Sequence, residues 1–199
     1  FAMRGASPIT GGGMFFEINT QDDSYITLAM ARDHMRISDT ANDDALQRAL
    51  DAAVVQIEKQ TAVFLRDTEV WQWVRGDPNG TRLFGSPFVE TGLLIYPKGT
   101  GTTPVTGSAY EIDMTGATAR ILTNTPGAFD SKTYYSIRYS CGYTSLSDSG
   151  NPLPADLITA TLELAGLHFE NREAATPVQL YALPHSIRSI LATYHSGAV

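Results

Sequence analysis

The chain has a single cysteine, Cys141, among 199 residues, so no internal disulfide can form and no cysteine-based metal site can be assembled. No apolar run reaches the length needed to cross a bilayer, and no secretory signal pattern opens the sequence. The four histidines, His34, His168, His185 and His195, do not pair at metal-ligand spacing, and there is no HExxH. Nucleotide signatures are missing as well. Gly11-Gly12-Gly13 lacks the Lys-Ser/Thr of a phosphate loop, and Gly99-Thr100-Gly101 lacks the spacing and following helix of a dinucleotide fingerprint. No GxSxG is present. Adjacent pairs such as Asp22-Asp23 and Asp43-Asp44 point to different helix faces, and helix capping explains the second pair better than acid–base chemistry. These absences predict a protein with no catalytic, cofactor or metal site.

What remains is the composition of an ordinary globular protein, 43% hydrophobic and 18% charged, with a net charge of −7. Such a surface does not attract nucleic acid or anionic membranes, although an acidic wall past which DNA slides would have the same balance. Residues 1–13 end in three glycines before Met14 and read as a tag and linker outside the fold. After Glu173 there is no acidic residue, in a chain that carries 21.

Three blocks follow one another. Over residues 27–66 Thr27 caps a short helix through Met35, and Asp39–Asp44 supplies a second start. Leu46, Leu50, Ala53, Val54, Ile57, Thr61 and Phe64 then form one apolar stripe, on a helix of about 22 residues. Its opposite face carries Arg48, Asp51, Glu58 and Lys59. Residues 68–143 are aromatic and β-branched, with strands expected at 70–74, 92–96, 110–113, 120–123 and 134–139. Asp77–Gly80 and Lys98–Gly101 read as turns. Asn151-Pro152-Leu153-Pro154 then breaks the sheet and starts a helix through Leu157, Ile158, Thr161, Leu164, Ala165 and His168. A linker at 175–178 leads to Leu183-Pro184 and a last helix with Ile187, Ile190, Leu191 and Tyr194 on its apolar side. The expected fold is α+β: an antiparallel helical bundle (14–67 and 144–199) with an inserted antiparallel β-sheet or barrel-like domain (68–143).

Two segments, taken together, resemble a known family. One runs from Ile26-Thr27-Leu28 through Arg32-Asp33-His34-Met35 and Asp43-Asp44-Ala45-Leu46 to Ile57-Glu58-Lys59-Gln60-Thr61. The other runs from Ile137-Arg138-Tyr139 and Gly142-Tyr143 through Leu153-Pro154-Ala155-Asp156-Leu157 to Phe169-Glu170-Asn171-Arg172-Glu173-Ala174 and Leu183-Pro184. They resemble the head–tail connector, or adaptor, proteins of tailed bacteriophages, prophages and phage-like gene-transfer agents. The resemblance implies a ring, typically twelvefold, in the particle neck beneath the portal protein, assembled in the bacterial host cytoplasm. The ring extends the channel for double-stranded DNA, without sequence-specific binding, and receives the next tail or stopper protein. The family has no catalytic activity, no cofactor and no membrane association, and a subunit can be a monomer when isolated.

A ring needs two different surfaces of one subunit to meet. Arg48, Asp51, Glu58 and Lys59 on the long helix and Glu170, Arg172 and Glu173 at the later helix end are the expected subunit interface, with Arg172 pairing to a carboxylate of the neighbour. The tail anchors Leu183, Pro184, Ile187, Leu191 and Tyr194 are the expected portal contact, as an amphipathic helix in a partner groove; the alternative is that this tail packs on its own domain. Two other functions are compatible with the sequence: a tail-completion or stopper protein of the same particle, and a β-domain that binds a carbohydrate or peptide on Trp71, Trp73, Tyr134 and Tyr135.

Overall fold

A computed structural model describes residues 9–11, 14–77, 79–98, 103–115, 118–125, 129–146, 151–170 and 183–194. The chain divides into two compact units, one made of Asp23–Arg66 and Tyr143–His195 and the other of Asp67–Gly142 with the strands that precede Asp22.

In the helical unit Thr27 caps α1 (Leu28–Met35), its hydroxyl accepting from the Met30 amide at 3.3 Å. α1 ends at Arg36, whose left-handed φ of 55° turns its amide back onto the Arg32 and Asp33 carbonyls. The Arg32 guanidinium grips the Asp43 carboxylate with two nitrogens, Nε donating to Oδ1 at 2.7 Å, and so ties the end of α1 to the first turn of α2 (Asp43–Thr61). α2 is 19 residues long, three fewer than the stripe suggests. Ala62 turns left-handed (φ 56°), so Phe64 is buried from the loop beyond the helix. Pro154 precedes α3 (Ala155–Glu170) and its carbonyl receives the Ile158 amide at 3.1 Å. The same arrangement starts α4 (His185–Tyr194), where Pro184 receives the Arg188 amide at 3.0 Å. The core joins Leu46, Leu50, Ala53, Val54 and Ile57 of α2 to Leu157, Ala160, Leu164 and Ala165 of α3 and to Ile187 and Leu191 of α4.

In the β unit the strands are β1 (Ile9–Gly11), β2 (Met14–Gln21), β3 (Thr68–Arg75), β4 (Thr81–Arg82), β5 (Phe88–Pro97), β6 (Tyr110–Asp113), β7 (Arg120–Thr123) and β8 (Tyr134–Cys141). They form a five-stranded sheet in the order β1-β2-β3-β8-β5 and a three-stranded sheet in the order β4-β7-β6, every pairing antiparallel. All five expected strands are present. Among the described residues the sheets are open, with β1 and β5 at the edges of the larger, so the barrel-like closure expected from the sequence is not formed. The prominent addition is β2, from residues grouped with the helical part on sequence grounds. It pairs with β3 from Phe15↔Trp73 to Gln21↔Thr68, with an irregularity between Ile18 and Thr20 that breaks its alternation. β1 falls within residues 1–13 and pairs with β2 at Ile9↔Phe16.

The sheet has two unlike faces because side chains alternate along each strand. Val70, Gln72 and Val74 of β3 and Tyr135, Ile137 and Tyr139 of β8 are buried together. The Gln72 amide donates to the Arg82 carbonyl at 2.9 Å and its oxygen accepts from the Phe84 amide at 3.0 Å and the Tyr139 hydroxyl at 2.7 Å. Phe16 stacks on Phe84 across the same face, ring centroids 3.7 Å apart. Gly76 is required where the chain leaves β3, since a Cβ there would lie 2.4 Å from the Asp130 carbonyl oxygen.

Candidate assembly surfaces

α2 buries one side, so its other side is the first candidate surface. Arg48, Ala52, Val55 and Lys59 recur at spacings of four, three and four residues, which places them on one stripe half a turn from the core residues. All four are exposed, and among the described residues Val55, at 40% exposure, is one of the few large apolar side chains open to solvent. Asp51 is exposed at the stripe's edge and accepts from the Gln47 amide at 2.8 Å. Glu58 behaves differently: its carboxylate accepts the Leu65 amide at 3.1 Å and lies 3.5 Å from the Arg66 guanidinium. It holds the turn after α2 rather than standing out from the surface.

The second candidate is a groove of about 390 Å³ on α3. Leu162, Gly166 and Leu167 line it from α3, Met35 from the end of α1, and Pro184 and Ile187 from the start of α4. Glu163 and Glu170 supply carboxylates and His34 an imidazole. Glu163, Gly166 and Glu170 lie on the side of α3 away from Leu157, Ala160 and Ala165, whereas Leu162 is itself buried in the core cluster. The groove has a mixed lining, and its two carboxylates are seven residues apart on one face of α3. The Glu163 carboxylate is 3.5 Å from the Ser186 hydroxyl, which donates to it. Glu170 is the last residue of α3 and is exposed. Arg172 and Glu173, expected at the interface, and the linker at 175–178 lie outside the described residues, as does most of the Lys98–Gly101 turn.

The expected portal anchors are divided. Leu183 and Pro184 are half-buried, whereas Ile187 (0% exposed) and Leu191 sit in the core of the helical unit. The Tyr194 hydroxyl lies 2.8 Å from both Asp156 carboxylate oxygens, fastening the end of α4 to the start of α3. Burial and the Asp156 charge push the Tyr143 hydroxyl up to about 12. Burial, the hydrogen bond to Asp156 and its charge raise Tyr194 further still. Residues 183–194 of this tail are therefore packed on the helical unit, as in the alternative that the sequence left open. His168, nearer the end of α3, lies with its Nε2 3.0 Å from the Gln56 side-chain oxygen on α2, and burial lowers its pKa.

The aromatic candidates of the β unit are also divided. Trp71 and Trp73 are half-buried on the open face of β3, with ring centroids 6.2 Å apart, and Tyr134 is 52% exposed on the same face by its pairing with Arg75. Tyr135 points the other way, is 4% exposed, and receives the Asp130 amide on its hydroxyl at 3.1 Å. A platform of all four rings is therefore not formed. Arg138 pairs with Glu69 and lies 5.9 Å from the Trp71 ring centroid, which occupies part of what remains. Among the described residues no group of three or more His, Cys, Asp or Glu side chains could hold a metal ion, and no helix is long and apolar enough to cross a membrane.

Sequence reasoning missed the groove altogether. It is built from three helices that are far apart in the chain, and only the spacing of Glu163, Gly166 and Glu170 on one α3 face hinted at it.

No protein-family model matches the chain, and no curated protein matches it. Solved structures do. A chain from the virion of a native gene transfer agent particle superposes with a TM-score of 0.72 at 22% identity, over 92% of this chain and 96% of that one. A chain from the neck of an empty gene transfer agent particle, computed with C6 symmetry, gives 0.65 at 24% identity, over 88% and 91%. One from the neck of the native particle, computed with C12 symmetry, gives 0.61 at 23% identity, over 92% and 97%. The chain thus shares its fold, across nearly its whole length, with protein chains of a gene transfer agent particle and its neck.

Proposed function

We propose that this chain is a structural component of the neck of a phage-like particle, and within it the head–tail adaptor. In this reading the subunits form a dodecameric ring beneath the portal, the ring extends the DNA channel, and its far side receives the next tail protein. The observation that carries the proposal is the shared fold over 92% of this chain and 97% of a chain from the neck of a native gene transfer agent particle. The family resemblance of the two helical segments, which rests on sequence alone, agrees with it. Arg48, Asp51 and Lys59 are the proposed subunit contacts on α2, and Glu170, with Arg172 and Glu173, those at the end of α3. The reading gives the chain no catalytic role.

Portal contact through α4 carries a condition. Ile187 and Leu191 are seated in the core, so the helix must leave α2 and α3 before those side chains can reach a partner. Leu183 and Pro184, half-buried at its start, can be reached without that step.

The test is mass photometry and negative-stain imaging of the full chain, alone and with its portal. Rings of a dozen copies on the portal are expected. A chain that forms no ring and does not bind the portal overturns the adaptor reading.

A further inference from the structure

The stripe on α2 and the groove on α3 carry opposite charges around apolar residues. The stripe has an apolar centre, Ala52 and Val55, with a cation at each end, Arg48 and Lys59. The groove has an apolar floor with carboxylates from Glu163 and Glu170. Along the helix axes the cations are about 16 Å apart and the carboxylates about 10 Å, a difference that the long arginine and lysine stems can span. The two surfaces are distinct patches of the helical unit. The stripe is on the side of α2 away from the core, and the groove opens where α1, α3 and α4 meet, with the buried Leu162 and Ile187 at its base. One copy therefore offers two different surfaces, a stripe and a groove.

We propose that the occupant of the groove is the α2 stripe of a second copy of this chain, Val55 entering over Gly166 while Arg48 and Lys59 face Glu163 and Glu170. The inference rests on the ring reading and deepens it, by assigning the subunit seam to these two surfaces. The contact joins two different patches, so it propagates from copy to copy rather than closing as a two-fold dimer. The Gly166 position suits close approach: a Cβ there would meet only the Met35 methyl, at 3.7 Å. Opposed charges fix the register of the stripe in the groove, and like charges would oppose the contact.

The test places one cysteine on each surface. Full-length chain carrying Val55→Cys and Gly166→Cys is mixed with its portal, mildly oxidised and run on a non-reducing denaturing gel. Cys141 is retained, because it is buried. A ladder of trimers and larger species is expected from the double variant, and neither single variant should go beyond a dimer. Rings visible by negative stain without a ladder would overturn the seam while leaving the adaptor reading intact; absence of any ring would overturn both. A dimer alone from the double variant would mean a two-fold contact and would also overturn it. Charge reversal gives a second route that needs no cysteine. Glu163→Lys with Glu170→Lys should lower ring yield by about tenfold, and adding Arg48→Glu and Lys59→Glu should recover most of it. Failure of the fourfold variant to recover, in chains whose circular dichroism is unchanged, would overturn the pairing.

Discussion

Replacing Ile187 by alanine asks whether α4 is part of the core or a free arm. The side chain is fully buried in a cluster that draws on α2, α3 and α4. The change removes three carbon atoms, worth about 2.4 kcal/mol at ~0.8 kcal/mol per buried methylene. A cavity contribution normally brings an Ile→Ala change in a core to about 2–5 kcal/mol. Ile187 also lines the α3 groove, so water and side chains can relax into part of the space, and the lower half of that range is expected. A loss of about 2.8 kcal/mol lowers the folding constant about 100-fold. For the helical unit unfolding on its own it shifts Tm by about 11–22 °C. Urea unfolding should be followed by the helical signal at 222 nm, with tryptophan fluorescence as a separate probe, because both tryptophans belong to the β unit. The helical transition should move to lower urea with an unchanged slope while the fluorescence transition stays. A loss below about 0.5 kcal/mol would refute the reasoning, because surface changes fall within that limit. It would mean that α4 does not depend on this seat and that Ile187 is available to a partner.

Alkaline pH should weaken the same unit. Tyr143 and Tyr194 have raised pKa values when folded, so between pH 10 and about 12 the unfolded chain loses protons that the folded chain keeps, and stability falls as pH rises. A pH series of Tm should show that decline, and Asp156→Asn should shift its onset. At the acid end His168 has the opposite sense. Its folded pKa is lowered, so its contribution is complete above 6.5 and is lost as pH falls below that value, which Tm of His168→Gln against the parent would reveal. In the β unit, Tyr139→Phe removes the hydroxyl that bridges Gln72 and Phe84 and should cost about 1–3 kcal/mol in urea unfolding. The pair Tyr139→Phe with Gln72→Leu should cost more than the sum of the two single changes, since either single change leaves the Phe84 amide one acceptor and the double change leaves it none. Gly166→Ala should stabilise the isolated chain by about 0.5–1 kcal/mol, because it replaces a helical glycine where a Cβ has room.

Local pattern determined a good deal. Three- and four-residue recurrence of Leu46, Leu50, Val54 and Ile57 fixed the buried side of α2, and with it the exposed Arg48 and Lys59, because a helix returns to the same face every 3.6 residues. Thr27 and Pro154 marked helix starts through the groups they offer or lack at a first turn. Two-residue alternation around Val70, Gln72 and Val74 identified β3 and placed Trp71 and Trp73 together on its other side. Tertiary structure alone decided which faces meet. β8 lies between β3 and β5, and its pairs with β3, from Arg75↔Tyr134 to Thr68↔Cys141, join residues far apart in the chain that no local spacing encodes. β2 escaped notice because Asn19, Thr20 and Gln21 mask its alternation where the register shifts, and only its partner strand identifies it. Glu58 resembles its exposed neighbours in sequence yet turns to the Leu65 amide. The apolar side of α4 would suit a foreign groove as well as its own domain. It is seated by α2 and α3, because an amphipathic face records that something must cover it, while the identity of the cover depends on long-range packing.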